Sequence, residues 1–397
     1  MIDTKIFNNT KRAFILKSEK DLKRSIFIFK LMNIPLLVPL GIFFTKIALK
    51  LRLPIEWIIK KTVFEQFCGG TTQKDCLPLI KLMYSKHVYS VLDYSVEGKS
   101  DEKEFEKVAK TKAEIIKFAS EQKEIPFAVA KPTGLGRFKI WEKVSQNEEL
   151  SSSEQSEWNR IQKRVKMLCQ TAADYNTKLM FDAEETWMQK AVDDLIEEMM
   201  KIYNRDKAII FNTIQCYRWD RLAYLKDIHE RAKKENFKLG FKIVRGAYME
   251  KENARARRKR YQTPICEDKE ATDVNFNAIM CYCIDNIDDI ATFIGTHNEV
   301  STYMALQLMS QKGLKLDDDR VWFGQLYGMS DHISYNLGEE CSNAIKLVPF
   351  GPVRDVVPYL FRRAQENSSV QGQSSRELSL LLEEKERRKG QYVKRVN

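Results

Sequence analysis

The chain has 397 residues, 43% hydrophobic and 11% aromatic, ample material for a large core. Its formal charge of +11 suits anionic membrane or nucleic acid, but no zinc spacing, helix-turn-helix pattern or aromatic-basic repeat accompanies it, so nucleic acid is not an expected partner. Eight cysteines without a CxxC pair read as reduced thiols of an intracellular protein, and Cys281 and Cys283 stand too close for any usual metal spacing.

Residues 1–83 read as an N-terminal helical region. Residues 2–30 alternate charged and apolar residues too evenly for a secretory signal. The run LMNIPLLVPLGIFF, residues 31–44, is uncharged but shorter than the ~20 residues a spanning helix needs, and Pro35, Pro39 and Gly41 interrupt it. Helices packed on the main domain are the preferred expectation, and helices lying on a bilayer are the alternative.

From His87 onward, short apolar strands alternate with helices. Strands are expected at 87–94, 126–130, 178–181, 208–214, 239–244, 290–294, 320–323 and 344–348. Helices are expected at 102–122, 187–203, 218–236, 272–286 and 299–312, and a charged helical stretch lies between 134 and 178. Non-alternating strands separated by helices indicate a parallel sheet covered on both faces, and eight such units favour a closed (β/α)8 barrel of the TIM type. No GxGxxG or GxxxxGK[ST] follows any strand, which argues against a dinucleotide fingerprint or a P-loop.

Polar residues fall at the carboxyl ends of these strands: Glu97, Lys131, Asp182, Gln215, Arg245, His297 and Gln325. In a barrel those ends share the rim on which active sites are built. Four histidines, mostly elsewhere, and dispersed carboxylates make a metal site unexpected. No serine or cysteine stands beside His297 as a nucleophile. The donors, with the Gly246-Ala247 backbone, suit a planar phosphate-bearing cofactor that supplies the chemistry itself. The segment GPVRDVVPYLFRRAQEN, residues 351–367, follows the last strand. Tyr359, Arg362, Arg363 and Glu366 there share the i, i+3, i+4, i+7 face of one helix. Adjacent arginines call for an anion, and a guanidinium grips carboxylate or phosphate with two parallel bonds.

The string KIVRGAYMEKE at residues 242–252, with FDAEE, THN, FGQLYGM and YLFRRAQEN in order, resembles the proline dehydrogenase family. The resemblance runs from about Phe64 to about Gly372. It implies a distorted (β/α)8 barrel over 84–372, with 373–397 a charged C-terminal helix or tail. It also implies non-covalent FAD, and oxidation of L-proline to Δ1-pyrroline-5-carboxylate by hydride transfer to the flavin N5. Electrons would pass to membrane quinone, with peripheral membrane contact. No aldehyde dehydrogenase module follows Asn397, so the second oxidation is expected of a separate pyrroline-5-carboxylate dehydrogenase. The expected location is cytoplasmic, or peripheral on the inner membrane.

Carried over by motif, Arg362, Arg363 and Lys131 correspond to the family's carboxylate-binding cations, and Glu97 and Asp182 to the acids that hold such cations. Tyr248, Leu326 and Tyr359 correspond to substrate-pocket walls. Asp182, Gln215, Lys242, Val244, Arg245, Gly246, Ala247, Tyr248, Thr296, His297, Asn298, Gln325 and Glu366 fall where the family binds FAD. Leu347 replaces a tyrosine common in the family, which leaves that end of the pocket more apolar. The alternative enzyme reading is a hydroxyproline or other cyclic-amine dehydrogenase of the same fold. A methylenetetrahydrofolate reductase relative and a non-catalytic nucleic-acid module using Arg255–Arg260 are the more distant rivals.

Overall fold

The computed structural model describes residues 4–34, 36–95, 101–369 and 373–396. Glu97, expected at the end of the first strand, lies outside the described residues. The strands are β1 (Val88–Tyr94), β2 (Phe127–Ala130), β3 (Lys178–Phe181), β4 (Ile210–Gln215), β5 (Leu239–Val244), β6 (Ile290–Gly295), β7 (Val321–Leu326) and β8 (Ala344–Phe350). They close into a barrel in sequence order, and each resolved pairing is parallel. The expected (β/α)8 architecture is therefore present. Strand boundaries shift by at most a few residues, most at β7, where Gln325 lies inside the strand rather than beyond it.

The longer helices, in chain order, are α1 (Glu19–Met32), α2 (Leu37–Lys50) and α3 (Gln73–Tyr84), which precede β1. Next come α4 (Glu102–Ser120), α5 (Ser152–Asp174), α6 (Thr186–Tyr203) and α7 (Arg221–Glu235), after β1 to β4 in turn. Then α8 (Met249–Lys259) and α9 (Lys269–Asp285) follow β5, α10 (Glu299–Gln311) follows β6, and α11 (Asp331–Glu339) follows β7. Finally α12 (Val353–Ser369) and α13 (Gln373–Val396) follow β8. The Gly351-Pro352 pair stands immediately before α12, as the sequence suggests. The chain falls into two compact units, residues 98–324 and residues 1–97 with 325–397.

In the unit 98–324, strands β2 to β6 are almost wholly buried, as apolar runs without alternation require. Toward their amino-terminal ends the core is aromatic. The Phe127 ring meets Phe211, Phe293 and Trp322 edge-on at 5.4, 5.4 and 5.2 Å, the geometry that ring quadrupoles favour. Gly324 makes room for this layer, since a Cβ there would lie 2.2 Å from the Phe293 ring. Lys178 opens β3 with its ammonium 5.3 and 5.1 Å from the Phe127 and Trp322 ring centres. It also pairs with Asp319.

In the unit 1–97 with 325–397, α13 packs on α1, and α12 packs on both α1 and α2. Leu22, Phe29, Phe67, Val356, Leu360 and Leu380 are shared among these elements in one buried cluster. Beneath it lies a buried charged network. Asp331, at the start of α11, accepts from Lys346 of β8 at 2.9 Å and from Lys17 at 3.1 Å. Burial opposes its ionisation, but the two ammonium groups outweigh burial and hold Asp331 below the usual carboxylate range.

Candidate active site at the carboxyl ends of the strands

Within the unit 98–324 the expected rim residues come together in two linked groups. In the first, Lys242 of β5 is buried and donates to Asp182, the residue after β3. Lys131 stands one residue beyond β2, and its charge acts on Glu184. Glu184 is buried, with one carboxylate oxygen accepting from the Tyr248 hydroxyl at 2.6 Å and the other from Thr133 at 2.8 Å. Burial pushes its pKa up to about 7, against both hydrogen bonds and the Lys131 charge. Tyr248 is thereby clamped at the turn that follows β5.

The second group is built around Arg245. Its guanidinium donates to Asp273 at 2.6 Å, to the Thr296 hydroxyl at 2.7 Å and to Ser301 at 3.1 Å. The group also stacks 4.4 Å from the Phe276 ring centre. Thr296 Oγ1 accepts from the Asn298 backbone at 3.1 Å, and Asn298 caps α10 by accepting from the Ser301 N–H at 3.0 Å. The turn after β6 is thus fixed against the turn after β5, with His297 half-buried between Thr296 and Asn298. Val244 holds the turn after β4, its carbonyl accepting from Cys216 at 2.7 Å.

At the next two residues the backbone is open. Gly246 and Ala247 are exposed, and Gly246 has φ +132°, where a Cβ would lie 2.5 Å from the Tyr217 ring. Gln215 ends β4 with its amide nitrogen 3.4 Å from the Tyr217 hydroxyl. Its Oε1 is buried and has no hydrogen-bond partner among the described residues. A buried acceptor of this kind calls for a donor from outside the chain.

In the other unit, α12 presents Tyr359, Arg362, Arg363 and Glu366 at the spacing read from the sequence. The Arg363 guanidinium lies 5.1 Å from the centre of the buried Tyr359 ring and donates to Glu366 at 2.5 Å. Burial pushes the Glu366 carboxyl up and the Arg363 and Arg362 charges pull it down, with burial prevailing. Water at its 37% exposed side chain weakens both influences. The Tyr359 hydroxyl is buried and also lacks a partner among the described residues. Gln325 is buried and accepts from Ser334 at 2.8 Å. Leu326 and Leu347 are half-buried, and the Leu347 carbonyl accepts from the Tyr327 N–H at 2.9 Å.

A family model for proline dehydrogenase matches residues 76–376 of this chain. The chain belongs to the proline dehydrogenase family. It is 36% identical over 322 residues to the carbapenem antibiotics biosynthesis protein CarD of Pectobacterium carotovorum, covering 81% of this chain and 83% of that protein. It is 39% identical over 234 residues to human mitochondrial proline dehydrogenase 1, covering 58% of this chain but only 39% of that protein. Against the hydroxyproline dehydrogenase of Xenopus laevis it is 28% identical over 413 residues, 95% of this chain and 89% of that one. Among solved structures, proline utilization A from Bdellovibrio bacteriovorus superposes with a TM-score of 0.69 at 17% identity. That match covers 93% of this chain and 37% of the larger one, and shows the shared fold.

Several residues that build this candidate site carry no mark of it in the sequence. FDAEE holds three acids, and periodicity does not say that Glu184 and Glu185 are both buried or that Glu184 is the one that takes the Tyr248 and Thr133 hydroxyls. Asp273 and Ser301 brace Arg245 from 28 and 56 residues away. Glu252, in the otherwise basic α8, is buried and accepts from the Thr186 N–H and hydroxyl, both at 2.7 Å. It ties α8 to the start of α6. Arg255, first of the basic run, donates to Glu142 at 2.6 Å and stacks 4.4 Å from the Trp187 ring centre. That arginine is engaged within the fold.

Proposed function

We propose that this proline dehydrogenase family member oxidises L-proline to Δ1-pyrroline-5-carboxylate with bound FAD and passes the electrons to a membrane quinone. The observation that carries the proposal is the set of family motifs at the strand ends, with the Arg362-Arg363 pair on the helix after β8. The residues present fit a flavin. The Gln215 acceptor lacks a partner among the described residues, the Gly246-Ala247 backbone is open to close approach, and Arg245 is braced to offer its charge without rearrangement. On this reading Gln215, Lys242, Val244 to Tyr248, Thr296, His297, Asn298, Gln325 and Glu366 hold the cofactor. Bound FAD supplies the hydride acceptor.

The chain's own residues do the rest. Arg362, Arg363 and Lys131 bind the substrate carboxylate and so fix which face and which carbon of the ring is presented. Carbon–hydrogen cleavage beside the ring nitrogen requires the nitrogen lone pair, so the ammonium proton must leave first. Three cations at the carboxylate stabilise the neutral amine over the ammonium and favour that loss. Asp182 is held by Lys242 and Glu184 by two hydroxyls, so both act as positioning residues and neither is the proton acceptor. Tyr248, Leu326, Leu347 and Tyr359 line the ring.

A second reading, a hydroxyproline or other cyclic-amine dehydrogenase, is favoured by Leu347 and by the near full-length likeness to hydroxyproline dehydrogenase. One experiment separates the readings: the visible spectrum of purified protein, followed by anaerobic addition of L-proline or 4-hydroxy-L-proline. The proposal expects a flavin spectrum bleached faster by L-proline. Faster bleaching by hydroxyproline selects the second reading, and the absence of a protein-bound flavin spectrum after FAD addition and removal of unbound FAD contradicts both.

A further inference from the structure

We infer that α2 and the turn Glu56–Ile59 form a face that lies on an anionic lipid bilayer, without crossing it. Helix α2 is apolar on two opposite sides. Val38, Ile42 and Leu49 belong to the core or pack against it. On the opposite side Leu36, Leu40, Phe43, Phe44, Ile47 and Leu51 recur at helical spacing and are all exposed, Leu36 by 69% and Phe44 by 63%. The following turn adds Trp57, 69% exposed, and Ile58. A contiguous apolar face of this kind marks an interaction surface rather than ordinary solvent-facing protein.

Its charged surroundings select the occupant. Between Lys30 and Lys61 there are six basic residues and the single acid Glu56, whose carboxylate is taken by Arg354. Lys46, Lys50, Arg52, Lys60 and Lys61 are exposed along the same segment. A second copy docked face to face would set these cations against their own counterparts, whereas acidic headgroups neutralise them and let the lysine stems reach to the interface. The bend between α1 and α2 argues for lying on the bilayer rather than crossing it. No single helix among the described residues is long and apolar enough to cross, and α1 and α2 meet at a bend of 101°. At ~1.5 Å per residue the 14-residue α2 is about 21 Å long, suited to lying in the headgroup layer with its outer side chains in the acyl boundary.

The inner side of α2 packs on α12, with Lys46 5.8 Å from the centre of the Phe361 ring. Phe361 precedes Arg362 and Arg363. The docking face therefore lies one helix layer from the arginine pair, a place from which a lipid-dissolved electron acceptor reaches the protein. This deepens the reading of a membrane acceptor and rests on it for purpose, while the docking itself is measured without turnover.

The test is co-sedimentation of the purified full chain with phosphatidylcholine vesicles, with and without phosphatidylglycerol, at low and high salt. The native chain should sediment with the anionic vesicles and be partly released by salt. The Phe43→Asp, Phe44→Asp, Trp57→Asp triple variant should partition at least ~10-fold less, and Lys50→Glu with Arg52→Glu should weaken binding only to anionic vesicles. Proline-dependent reduction of a soluble dye should be the same in native and variant proteins, which verifies folding. Vesicle binding by a native chain that does not oxidise proline would sink the functional reading alone. A native chain that stays in the supernatant with anionic vesicles, a triple variant that binds as well as native, or a native dimer that the triple variant converts to monomer would overturn the docking face.

Discussion

Two lysine–aspartate pairs in the unit 98–324 show how differently the two ends of its strands are built. Lys178, at the amino end of β3, spreads its ammonium over two aromatic rings and pairs with Asp319, whose side chain is 72% exposed. Lys242, near the carboxyl end of β5, is buried and pairs with Asp182, whose side chain is 24% exposed. The amino end is a packed aromatic layer in which a charge is tolerated because it snorkels to water. The carboxyl end is a braced set of charges and hydroxyls, with the Gln215 Oε1 acceptor lacking a partner among the described residues. The first end holds the barrel together, and the second carries the residues of the candidate site.

Breaking the aromatic layer should produce the largest effect on stability. Phe127→Ala removes a fully buried ring in edge contact with three others, so a loss of about 3–5 kcal/mol is expected in denaturant unfolding, while the folded fraction keeps its activity. Exchanging the lysines sharpens the contrast. Lys242→Met strands the Asp182 carboxylate and should cost about 2–3 kcal/mol, whereas Lys178→Met leaves Asp319 to water and should cost ~1 kcal/mol or less. Equal losses from the two substitutions would erase the distinction between the ends.

A pH slope tests the bracing at the carboxyl end without removing a packed group. Glu184 has its folded pKa raised to about 7 from an ordinary 4.5, so between those values the folded chain binds the proton more tightly than the unfolded chain. Its contribution is therefore full below about pH 4.5 and is lost as pH rises to about 7, a change on the order of 3 kcal/mol at most. Glu184→Gln cannot ionise, so its Tm relative to native should rise between pH 5 and pH 8. A Tm difference independent of pH would show that Glu184 is not held in this way.

Much of this was legible in the residues. The strands are uninterrupted apolar runs, so β3 and β5 fall at the residues expected, and the i, i+3, i+4, i+7 face of α12 needs only helical geometry. What one sequence could not show was the bracing. Nothing local distinguishes Asp273 or Ser301 as partners of Arg245, and nothing in FDAEE says which acid is desolvated by the fold. The N-terminal apolar run was ambiguous for a physical reason. Packing was the preferred expectation and it describes one stripe of α2, while the opposite apolar stripe is exposed, so the composition of the run could not say which side would be covered.

The central claim is that the arginines of α12 grip the carboxylate of proline, and steady-state kinetics of Arg362→Ala and Arg363→Ala test it most directly. Losing a charge-assisted contact to a bound carboxylate should lower kcat/KM for L-proline by at least about 100-fold in each variant, ~2.7 kcal/mol, with the flavin still bound. A kcat/KM within about tenfold of native in either variant, a loss below ~1.4 kcal/mol, would contradict the account.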